Sequence, residues 1–351
     1  MFFVDNVLLG PLRMLLLLLG VLLVHQIITR QAIGTYNLDY ILKRVIFYGS
    51  VILVVIFILL QFKIYNIFTL MVLLFVLLGF QYLDVQKLSD SKKKIKEKRH
   101  TFLIDFFKFI ENSKENFISK NKGFFRIRKI NYALLAAFIS GLCVFVSRFF
   151  FLKNDLYTLS SLWLRNIEIV KNTNANIWFS ENVILGGELI LINFYSKITG
   201  ISEEMAIHSF GLIENFGLGI VLFWVLRKIT KSEFIAPLAG VLFFAFFYNY
   251  MPININILIE HNPVYLALCF ALPAMLFTVI PNILVVTNKK YVVVLLVIYL
   301  AIALTNFFVT LFVIPVFLVL ALIFHSKNTL RPVLRSITAY VLSVVLVFGV
   351  Y

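Results

Sequence analysis

Ten stretches of this chain are apolar over most of the length a bilayer crossing requires: roughly residues 7–28, 45–61, 64–84, 131–152, 207–227, 233–250, 262–286, 291–305, 307–325 and 335–351. That feature alone removes most fold classes. Hydrocarbon offers no hydrogen bond to an unpaired backbone group, so a chain that enters it repeatedly does so as helices or as a closed barrel. Barrel strands need only about ten residues with strict alternation, whereas these runs are long and continuously apolar. The composition agrees, with 61% hydrophobic and 14% charged residues and a mean hydropathy of +0.96. Soluble domains carry about a quarter charged residues. The expected fold class is therefore an all-α integral membrane protein with about ten transmembrane helices.

Two runs need separate decisions. "MLLLLLGVLLVHQII" (14–28) has only Arg13 before it and no small-residue cleavage site after it, so it reads as a retained span rather than a removed leader. Residues 291–325 would reach about 52 Å as one helix, far beyond a hydrocarbon core of about 30 Å. Two passes turning near Thr305-Asn306 fit better, with Lys289 and Lys290 before them and Lys327 and Arg331 after.

The formal charge of +15 would suit nucleic acid, but its distribution follows topology instead. Residues 87–130 hold 14 Lys and Arg against 5 acids. If they are placed in the cytoplasm and the spans alternate, 25 of the 32 basic residues fall inside. The other seven are Arg13, Lys63, Arg148, Lys153, Arg165, Lys171 and Lys197. That asymmetry is the positive-inside signature, and it excludes nucleic acid as the expected partner. Cys143 and Cys269 sit inside apolar runs with no metal-site spacing, so they read as packing residues.

The basic segment divides the chain into a three-span N-terminal module (1–86) and a seven-span module (131–351). Within it, "KKKIKEKRH" precedes Phe102, Phe106, Phe109 and Ile110 at helical spacing. Such a basic amphipathic element suits an anionic lipid surface, and equally a solvated linker.

On the outer side the exception to short connections is the 54-residue stretch 153–206. Leu156, Leu159, Trp163, Ile167 and Val170 form one helical stripe in it, and 183–198 form a second apolar stretch interrupted by Gly186, Gly187 and Glu188. Trp163 and Trp178 lie here, as tryptophan does at membrane interfaces. The expectation is two helices lying along the outer membrane surface, with Gly186-Gly187 permitting a turn. Ser202 is an expected N-cap, with Glu203 and Glu204 in the first turn of the next span. Asn262-Pro263 starts another helix, directly after Glu260 and His261.

An acid after an inside-to-outside span (Asp155 in "KNDLY"), a long first outer loop with two surface helices, and a second acidic motif ("IEHN") before a later span together resemble the GT-C superfamily of membrane glycosyltransferases. The resemblance covers about residues 131–351. It implies glycosyl transfer from a polyprenyl-phosphate-linked sugar to an acceptor, with the active face outside the cytoplasmic (inner) membrane, in cell-envelope metabolism. It implies Asp155 as the base that deprotonates or orients the acceptor, with Glu260 as the second catalytic acid. His261, Lys153, Arg165 and Lys171 would bind substrate, and the cations Arg148 and Lys197 would also suit the lipid phosphate. Asp155 and Glu260 would hold a divalent ion, Mg or Mn, if the reaction uses one. The chain departs from the family pattern in its single acid after the span, in its front module, and in ending at "VLVFGVY" within an apolar run, short for the family or as a fragment.

Plainer roles compete. Asp155 would also cap a helix starting at 156. Glu214, inside span 207–227, is either functional or a polar contact within the bundle. Two other functions fit the same sequence: a transporter or flippase for a lipid-linked substrate, and a non-catalytic membrane subunit of a larger complex, with protein partners.

Overall fold

The computed structural model describes residues 7–29, 37–83, 131–154, 161–176, 186–246, 260–284, 288–326 and 329–349, and every long element in them is a helix. We number twelve α-helices: α1 Leu9–Thr29, α2 Leu38–Gln61, α3 Ile67–Leu83, α4 Tyr132–Asn154, α5 Ser161–Thr173, α6 Gly187–Thr199, α7 Glu203–Thr230, α8 Ile235–Phe246, α9 Pro263–Val279, α10 Asn288–Thr305, α11 Ile314–Ile323 and α12 Leu330–Phe348. Each of the ten apolar windows falls on a helix. Five of them, α2, α4, α7, α10 and α12, are long and apolar enough to cross a membrane. The basic segment 87–130 and Asp155 lie outside the described residues.

The packing inverts the soluble pattern. On α12, Val333, Ser336, Ala339, Ser343 and Val347 face inward, while Leu334, Val341, Leu342, Val345 and Leu346 are exposed. Small and hydroxylic residues let helices approach and hydrogen-bond, while large apolar ones meet lipid at no cost. The crossing of α4 with α7 shows the same logic. A Cβ on Gly141 would stand 2.9 Å from the Phe216 carbonyl oxygen, and one on Gly219 would stand 3.1 Å from the Gly141 Cα. Only glycine permits that approach.

Helices α10 and α12 run parallel. Asn288 Oδ1 accepts from Arg335 at 2.7 Å near their starts, and the Phe307 and Phe348 rings meet near their ends. The chain between must therefore come back. It breaks at Asn306, whose Oδ1 accepts from Val309 N at 2.9 Å, and passes through one π-helical turn, Val309–Val313, into α11. The expected turn near Thr305-Asn306 is where the helix ends.

Helix α6 differs from its expected place on the outer membrane surface. Ten of its thirteen residues are buried, so no open face is left for lipid headgroups. The cause is local: a Cβ on Gly187 would collide with the Leu304 carbonyl oxygen of α10, and its absence lets α6 sink against that helix. By contrast, α5 keeps Leu164, Arg165, Glu168 and Lys171 exposed while Ile167, Ile169 and Val170 are buried.

The first three helices share one core with the rest. Arg13 donates to the carbonyls of Thr199 and Gly200 at 2.8 and 3.0 Å. Lys43 donates to the Ile283 carbonyl at 2.6 Å. Tyr65 donates its hydroxyl to Asn193 Oδ1 at 3.1 Å, and its N–H to Asn176 Oδ1 at 2.7 Å.

Candidate functional site

The start of α9 organises the site. Asn262 Oδ1 accepts from Val264 N at 2.9 Å and Pro263 takes the first helical position, as the sequence signals. The cap leaves the N–H of Asn262 itself pointing out of the helix, and it donates to Glu214 Oε2 on α7 at 2.9 Å. Glu214 is 2% exposed. One residue before the cap, His261 Nδ1 lies 2.9 Å from Glu188 Oε1. Glu188 stands in the first turn of α6, where the helix dipole favours an acid, and is 3% exposed. The second ring nitrogen, His261 Nε2, lies 3.1 Å from Asn166 Nδ2 on α5.

Five groups from four chain segments thus meet at one end of the bundle: Glu188, Glu214, His261, Asn262 and Asn166. Burial alone would lower the pKa of His261, but the Glu188 carboxylate beside it, and then Glu260, hold it above the ordinary histidine value. The imidazolium is favoured because Glu188 pairs with it. Asn166 serves both protonation states. Its Nδ2 donates to a neutral Nε2, and a half-turn of the amide presents Oδ1 to Nε2–H.

The predicted residues scatter around this centre. His261 lies in it. Glu260 lies beside it and acts on His261 by charge. Lys171 is elsewhere: its Nζ pairs with Glu204 Oε1 at 2.7 Å, both side chains partly exposed, and that contact holds its proton more firmly. Arg165 is exposed on α5, one residue before Asn166. Lys153 belongs to the last turn of α4, and Asp155 follows outside the described residues, so the Asp155–Glu260 pair is only half in view. Arg148 is no surface cation. It is 1% exposed, donates to the Ala245 and Phe244 carbonyls at 3.1 and 3.2 Å, and so closes the C-terminal end of α8. Lys197 lies over the Tyr65 ring, 4.5 Å from its centroid, and burial lowers its pKa.

No family model, curated protein or solved structure matches this chain.

Sequence reasoning missed Glu188 and Asn166 as site residues. Glu188 reads as an interruption of an apolar stretch, and Asn166 as part of a polar helix face. The available signal was an acid inside an apolar segment, a functional candidate by default, and the same signal marks Glu214. Among the described residues, no three His, Cys, Asp or Glu side chains are arranged to hold a metal ion.

Proposed function

We propose that this chain transfers a glycosyl group from a polyprenyl-phosphate donor to a hydroxyl acceptor at the end of the bundle formed by α5, α6 and the start of α9, with Glu188 and His261 supplying the acid–base function. The observation that carries the reading is the buried 2.9 Å pair of His261 Nδ1 and Glu188 Oε1, whose other ring nitrogen faces the partly exposed helix α5. A carboxylate that orients an imidazole and stabilises its cation is a general-base arrangement. In the neutral ring Nδ1–H donates to Glu188 and the bare Nε2 takes the acceptor proton once Asn166 swings aside; the acceptor oxygen bonds to the sugar's anomeric carbon, and the bond from that carbon to the lipid phosphate breaks. The phosphate leaves as an anion and stays with the membrane. Asp155 keeps its proposed role of orienting the acceptor, and Arg165, adjacent to Asn166, is the proposed phosphate cation. The active face lies outside the cytoplasmic membrane in this reading.

Reconstitution with polyprenyl-phosphate-linked sugars tests it. Wild type transfers sugar, and His261→Ala falls by about a hundredfold or more, the scale of a lost general base. Unchanged transfer in His261→Ala, or in Asp155→Asn and Glu260→Gln together, would end the proposal in this form.

A second reading rests on a different observation. Glu214 is buried inside a spanning helix, and the α10–α11 run breaks at Asn306 into a π turn. Interrupted helices and buried acids are features of proton-coupled transporters. Flux of a lipid-linked substrate across liposomes, without covalent transfer, would favour it.

A further inference from the structure

A cavity of about 360 Å³ lies where α2 begins and α7 and α9 end, with Asn37, Asp39, Lys43, Lys228 and Asn282 in its wall. That size falls inside the roughly 300–1,000 Å³ of small-molecule sites. Among the described residues Asp39 is the one acid in the lining, and both its oxygens are engaged. Lys228 Nζ lies 2.6 Å from Oδ2, and Trp224 Nε1 donates to Oδ1 at 2.8 Å. Lys43 donates to the Ile283 carbonyl at 2.6 Å. That acceptor is neutral, so it takes one of three ammonium hydrogens and leaves the charge in place. The lining therefore holds one cation more than its acid offsets. A second cavity of about 280 Å³ shares Lys228 and adds Arg227 and Lys231 against Glu233. Arg44 stands 4.3 Å from the centroid of the Tyr40 ring, which also lines the first cavity. The rim as a whole is short of negative charge.

We propose that this cavity binds the headgroup of an anionic phospholipid, its phosphate oxygens accepting from the Lys43 and Lys228 ammonium groups. Charge-assisted bonds of that kind are the strong ones, and the Asn37 and Asn282 amides supply neutral donors beside them. A lipid suits the surroundings better than free phosphate. Val45, two residues after Lys43, and Ile229, next to Lys228, are 58% and 63% exposed. Helices α2 and α7 are long and apolar enough to cross a membrane, so exposed apolar side chains at these ends meet acyl chains. A headgroup seated in the cavity leaves its tails against them. In the topology expected from the charge asymmetry this end faces the cytoplasm, where the leaflet carries anionic lipid. Lys228 stands about 21 Å along α7 from Glu214, so the site is separate from the proposed transfer site and holds under either functional reading. The bound lipid would brace the junction of α2, α7 and α9 that Asp39 and Lys43 already tie together.

Native mass spectrometry of the full chain in non-ionic detergent, titrated with phosphatidylglycerol, phosphatidylcholine or inorganic phosphate, tests the site. The expected result is one phosphatidylglycerol held more tightly than any phosphatidylcholine or inorganic phosphate. Lys43→Gln keeps a donor for the Ile283 carbonyl and removes the charge, and it weakens that binding about fivefold, the scale of one lysine near an anionic lipid surface. Arg331→Gln removes an exposed cation at the start of α12, at the same end of the bundle, and leaves the binding unchanged. Equal retention of the two lipids by wild type overturns the proposal. So does equal weakening by the two variants, which would reduce the effect to general surface charge. Inorganic phosphate that binds as tightly as phosphatidylglycerol overturns the lipid assignment. The wild-type comparison needs no variant, so a substituted chain that fails to fold does not shelter the idea.

Discussion

Helix α7 carries two polar clusters, one midway along it and one near its C-terminus, and they differ in charge balance. Near its C-terminus, Lys228 Nζ lies 2.6 Å from Asp39 Oδ2 on α2, and Trp224 Nε1 donates to the other Asp39 oxygen at 2.8 Å. One carboxylate meets one cation and a second donor, beside a cavity of about 360 Å³ that also touches Lys43 and Asn37. About 21 Å away along the helix, Glu214 accepts from the Asn262 N–H and Glu188 pairs with the adjacent His261. The first cluster is matched and partly exposed, with side chains 29% and 21% exposed. It fastens α2 to α7. The second is buried and carries more acid than base, which costs folding energy and gains no obvious packing. An arrangement that folding alone would not favour is a marker of function, which is why the unmatched cluster is the proposed working site.

Substitutions sharpen that contrast, starting with the largest expected effect. His261→Ala leaves Glu188 buried without its partner and should destabilise the chain by about 3–5 kcal/mol, beyond its effect on turnover; chemical denaturation in mild detergent measures it. Gly187→Ala forces a Cβ into the Leu304 carbonyl and should cost about 1–3 kcal/mol, as overpacking does, with displacement of α6 reducing transfer as well. Asp39→Asn breaks the matched cluster, for which about 1 kcal/mol is expected given its partial exposure, and transfer should not change. Lys171→Ala removes only an exposed pair with Glu204, and both melting temperature and turnover should match wild type.

The unmatched end should also respond to pH. The folded pKa of His261 is raised, so the stability contributed by its pair with Glu188 is fully present below the unfolded histidine value, near 6.5. It is lost as pH rises through the folded value. Thermal melts across that range should fall in wild type and flatten in His261→Gln. Parallel curves for the two would detach His261 from the effect.

What the sequence revealed follows from how local each signal is. Apolar length is written in consecutive residues, and every apolar window falls on a helix, five of which, among the described residues, are long and apolar enough to stand as spans. The Ser202 and Asn262 caps are local too, and both form as expected, Ser202 accepting from Met205 N at 3.3 Å. The enclosure of α6 was not legible, because it depends on Gly187 meeting a carbonyl of α10 far along the chain. For the same reason Glu188 looked like an interruption, and Lys171 looked available when its partner was Glu204. His261 was legible because the helix start beside it fixed its place. Its partner in space, Glu188, was not legible, because it comes from α6, 73 residues earlier in the chain.

The central claim is that Glu188, and not Glu260, is the carboxylate that works with His261. Sugar transfer from a polyprenyl-phosphate donor, measured side by side for Glu188→Gln and Glu260→Gln in the same liposomes, tests it most directly. The account predicts a loss of about a hundredfold or more for Glu188→Gln and a much smaller change for Glu260→Gln. A Glu188→Gln protein that turns over like wild type, while Glu260→Gln is inactive, would contradict it.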